Sequence, residues 1–211
     1  VVDGVISKRY VTFVNPGRSL GAHITQLTGI TDKMLADAPP IEELIEDVVR
    51  FCGDLPLLGH NIRFDYSFLK HAAVNRGLEF ERHGIDTLTL CRAFMTGDTR
   101  KNLSCACAYF HVPQSTAHRA QADAEAAHLL YQELMSRHSQ DQPDMFAPRP
   151  LIYKAKRDQA ATKRQKEYLQ DLLKCHRIDV TVQIEDMSRS QASRMIDTII
   201  SQYGRIPRQI F

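Results

Sequence analysis

The sequence predicts an α/β domain with a mixed sheet and flanking helices, followed by a small helical module. Short apolar runs alternate with amphipathic helical patterns over the first two-thirds of the chain, as in domains that pack helices against a sheet. Beyond a polar, Pro-rich stretch, two helix-start motifs stand close together near the C-terminus. A length of 211 residues can hold one domain with such an appendage.

The first predicted element is a strand over residues 5–14, ended by Asn15-Pro16-Gly17. Asp3-Gly4 before it is a strong hairpin signal, because both central residues of a tight hairpin turn adopt positive φ. Only two residues precede that turn, whereas a strand usually runs for about five or six residues. We therefore expect the partner strand to lie upstream of Val1.

Several helices and one more strand follow in order. After a loop and a short polar segment to Met34, Pro39-Pro40 opens a helix over residues 41–52, and Gly53 ends it. Residues 55–59 form a short apolar run, which predicts a buried strand. Further helices are predicted over residues 65–76, 86–96, 102–110 and 119–138.

The polar, Pro-rich stretch divides the chain into parts. We assign residues 1–138 to the α/β domain, residues 139–153 to a linker and residues 154–211 to the helical module. Each helix of the module has a capping box before its apolar-periodic run. The two boxes pair Thr162 with Gln165 and Ser188 with Gln191.

The composition is that of a soluble globular protein, with 43% apolar and 25% charged residues. No run of about 18 apolar residues predicts a membrane span, and no secretory signal opens the chain, so we expect a cytoplasmic location and no membrane partner. Five cysteines, an odd number without a C-x-x-C pair, fit reduced thiols and disfavour a zinc site.

Charge is distributed unevenly along the chain. Residues 1–148 hold 14 Lys and Arg against 18 Asp and Glu, a net charge of −4, whereas residues 149–211 hold 13 against 7, a net charge of +6. Because an apolar stripe through Leu169 and Leu172 has to pack inward, the basic residues of the module are expected on its outer face. Eight of them are Lys154, Lys156, Arg157, Lys163, Arg164, Lys166, Lys174 and Arg177. Such a face could hold DNA, dock a protein or simply be solvated.

Three side chains stand where they could carry chemistry. Asp65 follows a predicted strand, where a carboxylate can bind a metal ion at the sheet edge, although an N-cap role is the plainer interpretation. His118 precedes Asp123 by five residues, so the two side chains would point about 140° apart if both were helical. They can cooperate only if His118 lies in the loop before the helix, where an ordinary pKa of about 6.5 suits a general base.

Five segments occur in a fixed order: TFVNPGR, ITQLTGITDKML, GHNIRFDYSFL, IDTLTLCR and HRAQADAEAA. Together they resemble the DEDDh 3′–5′ exonucleases of the ribonuclease-H-like fold, nearest to the epsilon proofreading subunit of DNA polymerase III. The resemblance covers residues 5–135, and His118 selects the His-type branch. It implies a ribonuclease-H-like mixed sheet, and hydrolysis of phosphodiester bonds at single-stranded or frayed DNA 3′ ends in replication or repair.

The resemblance also implies a site. In that family two Mg²⁺ or Mn²⁺ ions, held by four acidic residues, act on the scissile phosphate and the attacking water. Asp65 and Asp123 match two of these ligands, and hard dications favour such oxygen donors. His118 matches the general base. Asn61 and Phe64 match positions beside the nucleotide pocket, although Phe64 could instead belong to the core.

The other two ligands of the family stand on a D-x-E-T strand that precedes the hairpin. No D-x-E-T motif occurs from Val1 onward, so the resemblance predicts that these 211 residues alone are an inactive, N-terminally truncated nuclease. Two alternatives stay open. One is a 3′–5′ exonuclease of the same family that acts on RNA, and the other is a non-catalytic protein that keeps the fold to bind a clamp or nucleic acid.

The linker holds a second candidate motif. Gln142-Pro143-Asp144-Met145-Phe146 resembles the pentapeptides by which bacterial replication proteins bind the sliding clamp. In that interpretation Gln142 and Asp144 offer polar contacts, while Met145 and Phe146 fill apolar pockets of the partner. The alternative is that Met145 and Phe146 pack back onto the α/β domain. A sliding clamp or a polymerase subunit is therefore a candidate partner.

Overall fold

Three short strands form one mixed sheet in the computed structural model, which describes residues 1–114, 119–180 and 183–206. Leu57–Gly59 (β1) pairs in parallel with His83–Asp86 (β2), and β2 pairs antiparallel with Arg149–Pro150 (β3). The strand order is β1-β2-β3. The predicted α/β class and the mixed sheet are therefore confirmed.

Nine α-helices accompany the sheet within those described ranges: Ala22–Thr28 (α1), Asp32–Leu35 (α2), Ile41–Cys52 (α3), Ile62–Asn75 (α4), Thr87–Phe94 (α5), Leu103–Tyr109 (α6), Ala120–His138 (α7), Lys163–His176 (α8) and Arg189–Tyr203 (α9). The bounds predicted for α3 are confirmed at both ends, and those of α5, α6 and α7 to within two residues. α1 and α2 lie where a loop and a short polar segment were predicted. In the part of the chain that the structure describes, no helix is both long and apolar enough to cross a membrane.

Two apolar cores stabilise the α/β part. One lies among α5, α6 and α7, where Leu90 and Leu130 are almost completely buried. The other lies against α3 and α4, where Ile45 and Tyr66 are buried and the Tyr66 hydroxyl donates a hydrogen bond to the Phe80 carbonyl at 3.0 Å. Burying one large apolar side chain contributes about 1.5–3 kcal/mol. The two cores therefore stabilise the helices around the narrow sheet.

The prediction of a strand over residues 5–14 is wrong, although the predicted turn before it forms. Asp3 and Gly4 adopt φ of 48° and 77°, and Val2 and Val5 exchange two backbone hydrogen bonds of 2.9 Å. From residue 6 to residue 14 the chain forms no strand ladder with any described residue. Alternating apolar residues do not make a strand on their own, because a strand needs a neighbour to satisfy its backbone groups.

Residues 139–153, predicted as a linker, are partly folded onto the α/β domain. Pro143–Met145 form one turn of 3-10 helix, and the buried Phe146 follows. The ring of Phe146 lies 6.0 Å, between centroids, from those of Phe94 and Tyr131 in the α5–α7 core. β3 then pairs with β2. Burial of one aromatic ring and pairing of a free strand edge outweigh the flexibility that the polar composition favours.

The helical module has its own small core between α8 and α9. Both predicted capping boxes form, with the N–H of Gln165 donating to Thr162 Oγ1 and that of Gln191 donating to Ser188 Oγ, each at 3.2 Å. Leu169 is completely buried in this core, as the predicted inward stripe requires. These local caps and the apolar stripe explain why the sequence predicted both helices.

We expect Phe146→Ala to lower the free energy of unfolding by about 3–5 kcal/mol, because it removes a ring from a closed core. Ile152→Ala is the control in the same segment, where the side chain is 72% exposed, and it should change stability by at most about 0.5 kcal/mol. Urea unfolding followed by circular dichroism measures both values. Equally small effects of the two substitutions would contradict the burial of Phe146.

Candidate active site

The carboxyl ends of β1 and β2 lie side by side and form the base of the candidate site. Gly59, the last residue of β1, pairs with Asp86, the last residue of β2. A helix follows closely on each strand, so the N-termini of α4 and α5 start from the same edge of the sheet. In open α/β sheets this edge is where ligands usually bind.

The Asp86 side chain ties the two junctions together. Its Oδ1 accepts a hydrogen bond from the N–H of Leu88 at 2.9 Å, which caps α5, and another from the N–H of Asn61 at 2.8 Å. Asn61 is the N-cap of α4 and has a left-handed φ of 66°, which Asn tolerates better than most residues. One carboxylate oxygen therefore fixes the start of both helices.

The His60 ring holds the same junction from a second side. Its Nε2 lies 2.8 Å from the carbonyl oxygen of Lys101, which can only accept, so Nε2 donates. Its Nδ1 lies 3.0 Å from Thr87 Oγ1. Burial lowers the pKa of His60, with Arg92 adding to this effect and the Lys101 carbonyl and Asp86 opposing it. The two contacts of the ring hold the loop before α6 beside the site.

Asp65 lies in the first turn of α4 and is exposed to solvent. The N-cap interpretation of Asp65 is wrong, because α4 begins at Ile62 and Asn61 is its cap. Desolvation by nearby protein atoms raises the pKa of the Asp65 carboxyl, and the negative charge of Asp86 acts in the same direction. A cation beside this carboxylate would therefore be favourable.

Asn61, Phe64, Asp65 and Phe68 follow one another along the exposed face of α4. Phe64 is 60% exposed and Phe68 is 63% exposed, and their rings meet edge to face with centroids 5.0 Å apart. The alternative that Phe64 belongs to the core is therefore wrong. Its ring is open to solvent beside Asp65. The predicted role of Phe64 beside a nucleotide requires such exposure.

Asp123 lies in the first turn of α7, as its predicted cooperation with a preceding loop residue requires, and α7 packs against β1. Gln114 Nε2 donates a hydrogen bond to Asp123 Oδ1 at 3.4 Å. Burial raises the pKa of the Cys107 thiol, and the Asp123 charge adds to this rise. The two predicted metal-binding carboxylates thus occupy helix starts that flank β1. His118 lies outside the described residues.

The donor chemistry of the two carboxylates fits a hard divalent cation, since Mg²⁺ and Mn²⁺ prefer oxygen ligands. Among the residues that the structure describes, no group of three or more His, Cys, Asp or Glu side chains is arranged to hold a metal ion. Metal binding by Asp65 and Asp123 stays a prediction, and two carboxylates alone would not complete a coordination shell. The other ligands would have to be water, substrate oxygens or residues outside the described ranges.

The predicted clamp motif lies folded against the α/β domain. Gln142 and Asp144 are exposed, whereas Met145 is half-buried and Phe146 lies in the α5–α7 core. This arrangement corresponds to the alternative in which both apolar side chains pack onto the domain. Clamp binding through this motif stays a prediction, and it would require Phe146 to leave its pocket.

Sequence reasoning missed the roles of His60 and Asp86. A local signal for Asp86 was present, because an Asp directly before a helical pattern is typical of an N-cap. The second hydrogen bond of Asp86, to the N–H of Asn61, joins residues 25 positions apart and has no local signal. The contact between His60 and Lys101 spans 41 positions and is equally invisible in the sequence.

One family model and several curated proteins match this chain. The RNase T model, described as an exonuclease, matches residues 1–131. DNA polymerase III PolC-type of Bacillus subtilis (strain 168) is 40% identical over 138 residues, which are 64% of this chain and 10% of that protein. The 3′-5′ exonuclease DinG of the same strain is 29% identical over 138 residues, which are 65% of this chain and 15% of that protein. The chain thus spans about a tenth of the PolC-type relatives that it matches.

A solved structure of exonuclease X in complex with 5′ overhanging duplex DNA has a similar fold, with a TM-score of 0.54. The two sequences are 24% identical, and the match covers 69% of this chain and 84% of the other. The likeness establishes the fold, which is ribonuclease-H-like, as the sequence resemblance predicts.

Asp86→Ala should lower the free energy of unfolding by about 1–2 kcal/mol, because the N–H of Leu88 loses the cap of α5 and the exposed N–H of Asn61 exchanges its acceptor for water. Asp86→Asn keeps the Oδ1 acceptor and should retain most of that stability. Denaturant unfolding compares the two proteins. If both substitutions destabilised equally, the charge of Asp86 rather than its hydrogen bonds would hold the junction.

Proposed function

The chain belongs to the exonuclease family whose model matches residues 1–131, and from this membership we propose that it is a 3′–5′ exonuclease acting on DNA ends. The observation that carries the proposal is the position of Asp65, an exposed carboxylate just beyond the carboxyl end of β1 and beside the exposed ring of Phe64. Phosphodiester hydrolysis needs groups that hold a charged phosphate, and an open aromatic ring can stack on a base. Both kinds of group occur at this edge of the sheet.

Asp65 and Asp123 are the residues that would hold two divalent ions, Mg²⁺ or Mn²⁺. When bound, such ions neutralise the charge of the scissile phosphate and lower the pKa of water so that it becomes a nucleophile at neutral pH. Two carboxylates are too few to hold two ions. We expect the remaining ligands on a D-x-E strand of the kind that the family places before the hairpin.

His118 is proposed as the general base that takes a proton from the attacking water. Its place in the sequence, five residues before Asp123 and ahead of α7, suits a base that approaches the phosphate from a loop. Phe64 would offer its exposed ring to the terminal base, and Asn61, one turn earlier on the exposed face of α4, would lie beside the same nucleotide.

Similarity to a PolC-type DNA polymerase III and to DinG supports DNA as the substrate and replication or repair as the setting. A polymerase subunit is accordingly the partner that we propose, in the cytoplasm. Two alternatives are an exonuclease that acts on RNA and a non-catalytic protein that retains the fold. The first experiment below separates them.

We compare the 211-residue polypeptide with the same polypeptide preceded by a D-x-E strand. With Mg²⁺ or Mn²⁺ and 3′-labelled single-stranded DNA, we expect no hydrolysis by the first and hydrolysis by the second, because four carboxylates complete the shell around two ions. Mg²⁺-dependent cleavage by the first polypeptide would contradict this division of ligands. A preference for labelled RNA would favour the RNA alternative, and inactivity of both polypeptides would favour the non-catalytic one.

In the active polypeptide, His118→Ala should lower the hydrolysis rate by about 10²–10⁴, the usual contribution of a general base, while Mn²⁺ binding survives. Asp123→Asn should lower both the rate and the Mn²⁺ affinity, because it removes a charged ligand. Asp144→Asn, an exposed carboxylate outside the site, is the control and should change neither. Isothermal titration measures the affinity. The same loss of affinity in the His118 and Asp123 variants would refute their separate roles.

A further inference from the structure

Residues 152–157, called here the basic strap, run along the surface between β3 and the helical module. Tyr153 is 43% exposed, and Lys154, Lys156 and Arg157 are exposed as well. The strap contains no acidic residue. Among the described residues, none of its three cations has a carboxylate within ion-pair distance. The strap therefore presents uncompensated positive charge next to an open aromatic ring.

Leu151 anchors the first end of the strap. Its N–H donates a hydrogen bond to the Arg82 carbonyl at 2.9 Å, and its side chain is buried against Gly84. A Cβ at Gly84 would lie 2.7 Å from Leu151 Cδ1, so only glycine leaves room for this anchor. The strap thus begins at a fixed point beside the sheet.

Asp158 anchors the other end and joins the two parts of the chain. Its N–H donates to Asn75 Oδ1 at 2.8 Å, at the C-terminal end of α4. Its carboxylate accepts from the hydroxyl of Ser188, the N-cap of α9, at 3.4 Å and lies 3.7 Å from His71 Nε2. A segment held at both ends loses less conformational entropy when it binds a ligand, which favours binding.

The outer face of α8 has a different character. Lys163, Arg164 and Lys174 are exposed there, but the exposed Glu167 and Asp171 lie among them. Lys163 also pairs with Glu167 at 3.8 Å. The basic outer face expected from the sequence is therefore divided into a charge-mixed helix and a strap on which the positive charge is uncompensated.

We propose that the basic strap binds the phosphate backbone of a single-stranded nucleic acid, with Tyr153 stacking on a base. Three cations that form no ion pair with a described carboxylate complement a polyanion, and an exposed aromatic ring beside them is typical of single-strand binding. The choice of this anion rests on the proposed nuclease function. Asn75 follows Asp65 by ten residues on α4, so the second anchor of the strap lies about 15 Å along the helix from the candidate site. The strap is a separate contact for the strand whose end is digested.

The test measures binding of a labelled oligothymidylate to the 211-residue protein in EDTA at several salt concentrations. The triple variant Lys154→Gln, Lys156→Gln, Arg157→Gln should lower the slope of log affinity against log salt by about 2, since each single-strand phosphate contact contributes about 0.7. The matched variant Lys163→Gln, Arg164→Gln, Lys174→Gln removes the same charge from α8 and should leave the slope nearly unchanged. Tyr153→Ala should weaken binding about tenfold, and Tyr153→Phe should restore it.

Equal changes of slope in the two triple variants would overturn the proposal, because binding would then follow net charge alone. An unchanged slope in the strap variant would overturn it too, and would leave a partner protein as the occupant of this surface. Circular dichroism verifies that each variant is folded. Because EDTA abolishes metal-dependent hydrolysis, the binding result stands apart from the activity assay. Strap binding together with inactivity of the polypeptide that carries the added D-x-E strand would refute only the nuclease function.

Discussion

The Asp86 carboxylate joins two strand–helix junctions that lie 25 residues apart in the chain. Because the same oxygen accepts the N–H groups of Asn61 and Leu88, the starts of α4 and α5 cannot shift independently. Loss of the partly buried bond to the N–H of Leu88, which caps α5, would cost about 0.5–2 kcal/mol. The left-handed conformation of Asn61 accompanies its bond to Asp86, and it sets the direction of the first turn of α4. The hydrogen bond between Asn61 and Asp86 therefore positions Asp65, which lies in that first turn but does not take part in the bond.

The three-stranded sheet gives this junction limited support, so the segment after α7 has to complete the domain. Phe146 closes the α5–α7 core, and Leu151 closes the core against α3 and α4. Between them β3 covers the free edge of β2. One short segment thus seals both cores and the sheet edge. The basic strap follows Leu151 directly, so the packing of the domain fixes its first residue.

Local signals predicted most helices because the information for a helix end lies within a few residues. Gly53 ends α3, and the box of Thr162 and Gln165 starts α8, as predicted. The start of α4 was not predictable, because its stabilising acceptor comes from another strand. For the candidate site, the positions of Asp65 and Asp123 near helix starts followed from the sequence, whereas the supporting contacts did not. Strand pairing and the burial of a single Phe are non-local in the same way, which is why residues 5–14 and the linker differed from expectation.

Charge is separated along the chain, so the two proposed nucleic-acid contacts, the candidate active site and the basic strap, should depend differently on divalent ions. Residues 1–148 hold 14 Lys and Arg against 18 Asp and Glu, so this part repels a polyanion on balance unless divalent ions occupy its carboxylates. The second anchor of the strap lies about 15 Å from Asp65 along α4. That exceeds the screening length of about 8 Å at physiological salt, so the proposed strap contact would act on a phosphate backbone almost independently of the site. A strand held there keeps its end at a raised local concentration even before the divalent ions bind. The strap would therefore position the substrate without taking part in the chemistry.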